Sequence, residues 1–346
     1  MTRIWQTKSR WLLPLLVLSC VFSIVAAVRR HFLQRKYHGR PYRAPVVVVG
    51  NITVGGSGKT PLIVALVNCL RTQGFVPGVV SRGYGGQAGS FPLEVASDTP
   101  ASLCGDEPLL IASLTGCPVV VCANRSLAVT HLLSNFNCDV VLSDDGLQHY
   151  AMHRDIELIV IDGQRGLGNG YRLPAGPLRE GVQRLNETDF VLVNGALEHP
   201  SLAVLGDDAG HSMVIAPCHV RQLCNGLIYS IEAWIEQFAG AERHVHAVAA
   251  IGNPQRFADT LSALDLTVTL HAYDDHQPLG TSNFMFDDDF PVLITAKDAI
   301  KFSRGGAGLM PENVWILDIE AQVETAFIDK LVAELQTLQL AASQRA

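Results

Sequence analysis

The sequence has 346 residues, of which 48% are apolar and 17% charged, so the chain can bury a core and is not intrinsically disordered. Its net charge of −7 hides an asymmetry, because 12 basic residues and no acidic residue precede Glu94. All 33 acids and the other 14 bases lie from Glu94 onwards, and so acidic a body excludes a nucleic-acid-binding protein.

An apolar run without a charge, Trp11–Val28, comes first along the chain. Its 18 residues would form a helix of about 27 Å, at the short end for a bilayer core of about 30 Å. The basic flanks disfavour a cleaved signal peptide and favour contact with anionic lipids. We therefore expect a membrane-associated helix with the body in the cytoplasm. The sequence does not distinguish a spanning helix from one that lies flat. The flanking bases are Arg3, Lys8, Arg10, Arg29, Arg30, Arg35 and Lys36.

A Gly-rich stretch follows the strand-like run Val46–Val49 and precedes a helical pattern. Glycines let backbone N–H groups turn towards phosphate oxygens, and the N-terminus of the following helix favours negative charge. We expect Lys59 to reach the β- and γ-phosphates and Thr60 to ligate Mg²⁺. The predicted nucleotide-binding residues are Thr53, Val54, Gly55, Gly56, Ser57, Gly58, Lys59 and Thr60. Thr53 departs from the usual pattern, which has glycine at that position.

Two adjacent acids, Asp144 and Asp145, end another apolar run. A carboxylate at this place in a phosphoryl-transfer site holds Mg²⁺ directly or through water, and neighbouring positions point to opposite sides of a strand. We expect one acid to serve the metal and the other to orient it. The alternative is a pair of surface acids that cap a loop. His149 either contacts nucleotide or substrate or makes a local hydrogen bond.

From Pro45 onwards, short β-branched runs alternate with helical stretches, as expected for parallel strands buried on both faces. The sequence predicts an α/β fold: a doubly wound, P-loop NTPase-like sheet, a second, smaller α/β lobe and the N-terminal membrane helix. Its predicted parts are residues 1–43 (helix and basic flank), 44–210 (P-loop domain) and 211–346 (second lobe), with the boundary within 205–243. The predicted strands are Val46–Val49, Val79–Ser81, Val119–Cys122, Val140–Ser143, Leu158–Asp162, Phe190–Asn194, Val245–Ile251, Thr267–Tyr273, Val292–Thr295 and Val314–Ile319.

The eight cysteines include no CxxC pair, and several lie in apolar runs. In a chain of this length they are expected to be reduced, buried thiols of a cytosolic protein. No His/Cys cluster has the spacing of a metal site.

The chain resembles the tetraacyldisaccharide 4′-kinase family of lipid A biosynthesis over almost its whole length. The resemblance rests on a series of ordered motifs that a chance match does not explain. They are VVVVGNITVGGSGKTP (46–61), SRGYG (81–85), GDEP (105–108), SDDGLQH (143–149), GLGNGYRLPAGPLRE (166–180), AIGNPQRF (250–257) and DH (275–276).

The resemblance implies transfer of the γ-phosphate of ATP, with Mg²⁺, to the 4′-hydroxyl of a tetraacylated glucosamine disaccharide 1-phosphate. It also implies work at the cytoplasmic face of the inner membrane of Gram-negative bacteria, with inner-membrane lipids and the acylated disaccharide as partners. An acylated sugar stays in the leaflet, so the enzyme has to come to it. Acyl-chain preference and oligomeric state are not set by the sequence.

The resemblance further implies that Asp106 accepts the proton of the sugar hydroxyl and that His276 pairs with it. From the residues alone, Asp106 reads as a helix N-cap. Arg82 and the 166–180 stretch are candidates for binding the acceptor, and the alternative for Arg82 is a structural ion pair with a carboxylate. The implied catalytic residues are Asp106, His276 and Lys59, and the implied substrate-binding residues are Arg82, Asn169, Arg172, Gln148 and His149. Because the catalytic base and its partner lie in different lobes, we expect the lobes to close on ATP.

The chain departs from the family at two places. Gln277 replaces the second histidine of an Asp-His-His motif, and Ala296 replaces the glutamate of a Thr-Glu-Lys-Asp motif. A role for a second imidazole is therefore in doubt. The rival prediction is a membrane-associated P-loop ATPase or GTPase switch, against which the absence of an N-K-x-D guanine-specificity motif speaks.

Overall fold

The computed structural model describes residues 5, 12–37, 41–206, 210–302 and 312–343. Within them, thirteen strands form one mixed sheet flanked by helices, which confirms the predicted α/β class. The strands are β1 (Val46–Gly50), β2 (Pro77–Ser81), β3 (Leu93–Glu94), β4 (Val119–Val121), β5 (Val140–Asp144), β6 (Ile156–Asp162), β7 (Phe190–Asn194), β8 (His211–Gln222), β9 (Ile228–Tyr229), β10 (His244–Ala249), β11 (Thr267–Ala272), β12 (Val292–Thr295) and β13 (Val314–Val323).

The described helices alternate with the strands. They are α1 (Leu13–Tyr37), α2 (Lys59–Thr72), α3 (Ala101–Cys104), α4 (Asp106–Thr115), α5 (Arg125–Asn135), α6 (Ile231–Phe238), α7 (Pro254–Ser262), α8 (Ala296–Ala299) and α9 (Thr325–Ser343). Polar side chains start several of them. Asn124 accepts a hydrogen bond from Leu127 N at α5, and Asn253 accepts one from Arg256 N at α7. These caps satisfy N–H groups that have no partner within the helix.

The sheet consists of two parallel parts joined by one antiparallel pair. Its strand order is β11-β10-β12-β13-β8-β7-β6-β1-β5-β2-β4-β3, with β9 on β8. β13 and β8 run antiparallel. Neighbouring strands are parallel in the series β11-β10-β12-β13 on one side of this pair, and in the series β8-β7-β6-β1-β5-β2-β4 on the other. We call β1–β7 with their helices the N-terminal half and β10–β13 with theirs the C-terminal half. The carboxyl ends of β1, β5 and β6 meet at one edge, where ligands bind in such sheets.

Each half buries apolar side chains on both faces of the sheet. One face of the N-terminal half contains Val47 and Val49 with Leu62 and Leu66 of α2, and the other contains Val46 and Val48. A strand buried on both faces needs an uninterrupted apolar sequence, which is why the runs in this half were recognisable. In the C-terminal half, Trp234 and Trp315 belong to the core on one face.

The C-terminal helix returns to the N-terminal half. Phe327, Leu331 and Leu335 of α9 are fully buried in the same core as Val47 and Leu62. The division at residues 205–243 stays a prediction. The prediction assigns α9 to the second lobe, whereas the helix packs in the core of the predicted P-loop domain.

The N-terminal helix α1 is long and largely exposed. Residues Pro14–Lys36 have a mean hydropathy of 1.7 over their most apolar window and only 6% of that window is buried, so the helix has the length and composition of a membrane span. Ser19 is an exception on the helix: it is buried and donates a hydrogen bond to Arg172 O at 2.9 Å. The predicted start at Trp11 and the bases Arg3, Lys8 and Arg10 lie outside the described residues.

All eight cysteines are free, as expected from their spacing. Cys104, Cys117, Cys122 and Cys138 are buried, whereas Cys20 and Cys224 are exposed, so only part of the set fits the expectation of buried thiols. Burial raises the pKa of the Cys104 and Cys138 thiols to about 11, which keeps both protonated and unreactive at neutral pH.

Candidate active site

The Gly-rich loop between β1 and α2 depends on glycine at two positions. Gly55 (φ +102°) and Gly58 (φ +95°) have a left-handed backbone that other residues rarely adopt. A Cβ atom at Gly55 would lie 2.7 Å from Arg165 Nη1, and one at Gly58 would lie 2.6 Å from Ile215 Cδ1. A Cβ at Gly56 would meet open space. The loop thus leaves room beside its backbone, directly before the N-terminus of α2, where an anion is favoured.

Thr53 needs no glycine because its backbone is not left-handed. It forms an isolated bridge with Leu178, and Val54 N donates to Pro177 O at 2.9 Å. The loop that contains Pro177 and Leu178 therefore supports the start of the phosphate loop. This pairing explains how the chain tolerates its departure from the usual pattern.

Asp145 lies opposite the lysine of the phosphate loop. Its Oδ1 is 3.4 Å from Lys59 Nζ, and its Oδ2 is 3.4 Å from Arg179 Nη1. Burial alone would raise the pKa of Asp145, but the charges of Lys59 and Arg179 outweigh it and hold that pKa below the ordinary value. Asp145 is therefore ionised at neutral pH and sits between two cations that could bind phosphate oxygens.

Asp144 is the last residue of β5 and is buried, so the alternative of two surface acids is wrong for it. Its Oδ2 accepts a hydrogen bond from Ser81 Oγ at 3.3 Å, and its Oδ1 has no partner among the described residues. Burial and the nearby Glu107 carboxylate raise the pKa of Asp144 well above its ordinary value. A buried carboxylate oxygen without a partner is costly, and a cation at that oxygen would remove the cost.

Arg125, at the start of α5, is a site residue that no sequence motif indicated. Its guanidinium is buried and donates to Cys122 O at 2.9 Å and to Asp144 O at 3.1 Å. Burial lowers the pKa of Arg125 to about 10, which the charges of Asp144 and Asp145 partly offset. The residue remains a cation at neutral pH and offsets the two acids. Only its place after a strand end could have suggested this role.

Asp106 and His276 are in direct contact, although 170 residues separate them. His276 Nδ1 lies 3.0 Å from Asp106 Oδ2 and joins the C-terminal half to the first residue of α4 in the N-terminal half. The reading of Asp106 as an N-cap is wrong, because Gly105 takes that position and no side chain caps the helix. The Asp106 carboxylate is thereby available to His276.

Further contacts surround this pair. Lys297 Nζ is 3.3 Å from Glu107 Oε1, and the Tyr84 ring lies with its centroid 5.8 Å from that of His276. At the position of the missing second histidine, Gln277 Oε1 accepts a hydrogen bond from Asp274 N at 3.2 Å and fixes the loop around His276. The departure at Gln277 thus substitutes a loop contact for an imidazole.

Opposite the Asp106–His276 pair, Asp162 joins the two halves a second time. Arg256 Nη1 of α7 lies 2.9 Å from Asp162 Oδ2 at the end of β6. Arg165 Nη2 lies 3.3 Å from the same oxygen and also donates to Gly56 O in the phosphate loop. Both contacts stand beside the loop in which phosphates are expected.

One cleft of about 1850 Å³ between the halves brings many of the predicted residues together. Thr53 through Thr60, Asp144 and Asp145 line it, as do Arg82 and His276. The predicted catalytic residue Asp106 does not line it, and neither do the remaining predicted substrate-binding residues, Asn169, Arg172, Gln148 and His149. The acceptor assignments therefore divide between the cleft and a neighbouring region under α1.

In that neighbouring region, the Asn169 side chain stabilises the loop in which it lies. It accepts from Tyr171 N at 3.1 Å and donates to Ala175 O at 3.0 Å. Gln148 Nε2 donates to Glu180 Oε1 at 2.8 Å and to Asn51 O at 3.2 Å, while Gln148 O accepts from Arg29 of α1 at 3.5 Å. The region links α1 with the phosphate loop.

His149 lies near three arginines. Its burial and the charges of Arg125, Arg82 and Arg29 lower its pKa to about 4, so its imidazole is neutral at physiological pH. Arg82 is exposed in the cleft and has no hydrogen-bond or ion-pair partner in the part of the chain that the structure describes. These cations would suit an acceptor that carries a phosphate.

The residues fit a magnesium-bound triphosphate. The unpartnered oxygens Asp144 Oδ1 and Ser57 Oγ are buried near the phosphate loop. No group of three or more His, Cys, Asp or Glu among the described residues could hold a metal by itself. Magnesium in nucleotide sites is held by one or two carboxylates together with the phosphates, and the two aspartates supply that number.

Three comparisons show what the chain is similar to. A family model described as tetraacyldisaccharide-1-P 4′-kinase (LpxK) matches residues 10–336. A tetraacyldisaccharide 4′-kinase of Hahella chejuensis is 43% identical over 97% of this chain and 96% of its own length, and one of Alkalilimnicola ehrlichii is 44% identical over 93% and 92%. An Aquifex aeolicus LpxK crystal structure in complex with ATP has the same fold, with a TM-score of 0.76 at 24% identity over 92% of this chain and 98% of that one.

Proposed function

The chain belongs to the tetraacyldisaccharide-1-P 4′-kinase family, and from this membership we propose how its residues carry out the family's reaction. It is an ATP-dependent lipid kinase of lipid A biosynthesis. It transfers the γ-phosphate of ATP to the 4′-hydroxyl of a tetraacylated glucosamine disaccharide 1-phosphate. The assignments that follow rest on the geometry of the cleft.

The triphosphate of ATP would lie along residues Thr53–Thr60, with Lys59 at the β- and γ-phosphates. Asp144, Asp145 and Thr60 would hold Mg²⁺, which when bound neutralises charge on the phosphates. The Lys59–Asp145 contact at 3.4 Å places a cation and a proposed metal-binding acid side by side. Arg179, which contacts the other oxygen of Asp145, adds a second cation to the phosphate site.

Asp106 would accept the proton of the 4′-hydroxyl, and the observation that carries this role is its 3.0 Å contact with His276. Asp106 Oδ2 is engaged by His276, whereas Oδ1 has no hydrogen-bond or ion-pair partner among the described residues. The free carboxylate oxygen can orient the sugar hydroxyl. It takes the proton late, when the loose transition state makes the hydroxyl acidic. His276 would stabilise the orientation of the carboxylate.

The disaccharide would reach the cleft past α1. Arg82 in the cleft and His149, Gln148, Asn169 and Arg172 beside it are proposed to bind its sugars and its 1-phosphate. Arg82 carries the strongest support among them, because its guanidinium is exposed in the cleft without a partner in the described part of the chain. An arginine in that situation can bind a phosphate in a bidentate manner.

We place the enzyme at the cytoplasmic face of the inner membrane, held there by α1. The exposed apolar side of α1 includes Val17, Val21 and Val25, each more than half exposed. Arg29 and Arg30 at its C-terminal part contact Gln148 O and Glu187, so α1 rests on the protein body near the proposed acceptor region. This arrangement brings the active site to a lipid that remains in the leaflet.

The proposed function is tested by transfer of labelled γ-phosphate from ATP to tetraacyl disaccharide 1-phosphate in detergent micelles. Wild type should form the phosphorylated lipid. Asp106→Asn, which keeps the shape of the side chain but removes the base, should lower kcat by roughly 10²–10⁴-fold. Asp265→Asn is the matched control, because Asp265 is 88% exposed and its left-handed backbone (φ +60°) tolerates asparagine.

Hydrolysis of ATP without a lipid product in wild type would contradict the kinase assignment and favour the ATPase switch. Full activity of Asp106→Asn would leave the kinase in place but remove Asp106 as the base.

A further inference from the structure

Lys301 lies beneath the cleft and is not part of any motif that the sequence singled out. It belongs to the 3₁₀ turn Ile300–Phe302, directly after α8, and its side chain is 10% exposed. Four oxygen atoms surround its ammonium group: Asp298 Oδ1 at 3.1 Å, Ala250 O and Gln277 O each at 3.5 Å, and Asp106 Oδ2 at 3.8 Å. Three of these oxygens belong to the C-terminal half and one to the N-terminal half.

Asp298 forms an ion pair with Lys301. Its carboxylate is fully buried and also accepts hydrogen bonds from Thr295 Oγ1 at 2.7 Å and from Ala250 N at 3.3 Å. Taking a lysine and an aspartate out of water is unfavourable, and a pair of apolar residues would often be at least as stable. The ion pair therefore calls for an explanation beyond packing.

The loop that contains His276 depends on the same ammonium group. His276 has a left-handed backbone (φ +63°), which a residue with a large side chain adopts only when its surroundings impose it. His276 N donates to Ala250 O at 3.2 Å, and Lys301 donates to that carbonyl and to Gln277 O, the residue after His276. Lys301 thus holds the loop on both sides of the imidazole.

The ammonium group also faces the proposed base. Its contact with Asp106 is to Oδ2, the oxygen that His276 Nδ1 approaches, so both C-terminal groups engage the same carboxylate oxygen. Two positive or hydrogen-bonding partners on one oxygen fix the rotation of the carboxylate. The other oxygen is left directed away from them and available to an acceptor hydroxyl.

We propose that Lys301, held by Asp298, is a positioning residue of the phosphoryl transfer: it fixes the His276 loop and the Asp106 carboxylate relative to each other when the two halves meet. The proposal rests on the proposed roles of Asp106 and His276. It explains how the Asp106 and His276 side chains keep a fixed relative position although they lie in different halves of the molecule. Lys301 itself does not line the cleft and acts through the pair.

The test is a kinetic double-mutant cycle on the full chain, with ATP and tetraacyl disaccharide 1-phosphate in micelles. The variants are Lys301→Met, His276→Ala and the double variant, and the control is Lys330→Met on the exposed surface of α9. We expect Lys301→Met to lower kcat by about 10–100-fold with KM values within about threefold, since a small misplacement of reacting groups has effects of that size. In the His276→Ala background the same substitution should cost at least about threefold less, because only the direct contact of Lys301 with Asp106 is then left to lose.

Equal losses from Lys301→Met in both backgrounds, or an unchanged kcat, would overturn the proposal. Wild-type kcat in His276→Ala alone would instead overturn the proposed Asp106–His276 pair. If Lys301→Met does not fold by thermal melting, Lys301→Arg runs the same cycle, because it keeps a cation for Asp298. Its wider guanidinium displaces the charge, so kcat should fall about three- to tenfold at an unchanged Tm, and an unchanged kcat would overturn the proposal.

Discussion

Neighbouring residues at the end of β5 have opposite electrostatic surroundings. Burial raises the pKa of Asp144, whereas Lys59 and Arg179 hold the pKa of Asp145 below its ordinary value. The chain turns directly after Asp144, the last residue of β5. Asp145 has a left-handed backbone (φ +46°) and faces Lys59 and Arg179, whereas Asp144 stays buried. The buried Arg125 stabilises both acids, because it donates a hydrogen bond to the Asp144 carbonyl and its positive charge offsets their negative charges.

Replacing Arg125 should therefore destabilise the fold and reduce activity together. Arg125→Met removes two hydrogen bonds to buried carbonyls and leaves two acids less compensated, for which we expect a loss of about 2–4 kcal/mol in the free energy of unfolding. Urea denaturation followed by circular dichroism measures this loss. Arg43→Met is the control, because Arg43 also donates to two carbonyls, those of Leu133 and Phe136, but is exposed. A loss for Arg125→Met no larger than that of the control would refute the assignment.

At the scale of single residues, the sequence indicated those side chains of the candidate site that belong to a local motif. Lys59, Asp144 and Asp145 followed from a strand, a turn and a helix that are contiguous in sequence. Arg125 and Lys301 did not, because their roles arise from carbonyl groups and acids that are far away along the chain. Asp106 and His276 were reached only through the family resemblance, since 170 residues separate them.

Among the elements, α1 has one side that contacts the protein body and another that is apolar and exposed. Ser19 and Arg30 both contact the protein body, and their separation of 11 positions corresponds to roughly 16 Å of helix. One side of that length lies against protein, and a segment held in this way is not free to cross a bilayer core of about 30 Å. A helix that lies in the interface, with its exposed apolar side in the lipid, fits this contact better than a full span.

Introducing a charge on that side should weaken membrane binding. Val25 is 61% exposed on α1, and Val25→Asp would place a carboxylate in the lipid-facing surface. We expect about tenfold weaker binding to vesicles that contain anionic lipid, measured by co-sedimentation, because losing one buried valine and adding one charge together cost on the order of 1–3 kcal/mol. Val204→Asp, at a 52% exposed valine away from α1, should bind like wild type. Unchanged binding of Val25→Asp would show that another surface holds the enzyme to the membrane.

The elements that the sequence predicted well are those buried on both faces. β7 and β12 occupy the predicted residues, and β1, β2, β5 and β6 differ only at their ends. By contrast, β8 was missed, since its residues are only partly buried and include Pro217 and two histidines. Its partner β13 was expected to end at Ile319 but continues to Val323, where it pairs with β8. A strand that joins two halves lacks the continuous apolar pattern of a core strand.

In the molecule as a whole, the pairing of β8 with β13 joins the two halves into one continuous sheet. Contacts between the halves close the cleft on two sides. Asp106 with His276 lies on one side, and Asp162 with Arg256 on the other. Both pairs join residues of the N-terminal half to residues of the C-terminal half. Their positions on either side of the phosphate loop support closure of the two halves around ATP, as expected for a kinase that has to keep water out.

Loss of the Asp162–Arg256 pair should weaken closure modestly. Arg256 is 46% exposed and Asp162 is 6% exposed at the side chain, so the pair contributes only about 0.5–1 kcal/mol. We therefore expect Arg256→Ala to raise KM for ATP by about two- to fivefold with the fold intact, measured in the micelle kinase assay. Arg243→Ala is the matched control, because Arg243 pairs with Asp265 at 3.9 Å within the C-terminal half.

A direct contact of Arg256 with ATP would raise KM as well, and the Asp162→Asn variant separates the two causes. If the ion pair acts through closure, Asp162→Asn alone should reproduce the effect, and the two substitutions combined should cost little more than either one. Asparagine keeps the oxygen that accepts hydrogen bonds from Gln164 N and Arg165 N, so the turn after β6 is preserved. Additive effects of the two substitutions would mean that Arg256 acts on the nucleotide and that the halves are held closed without this ion pair.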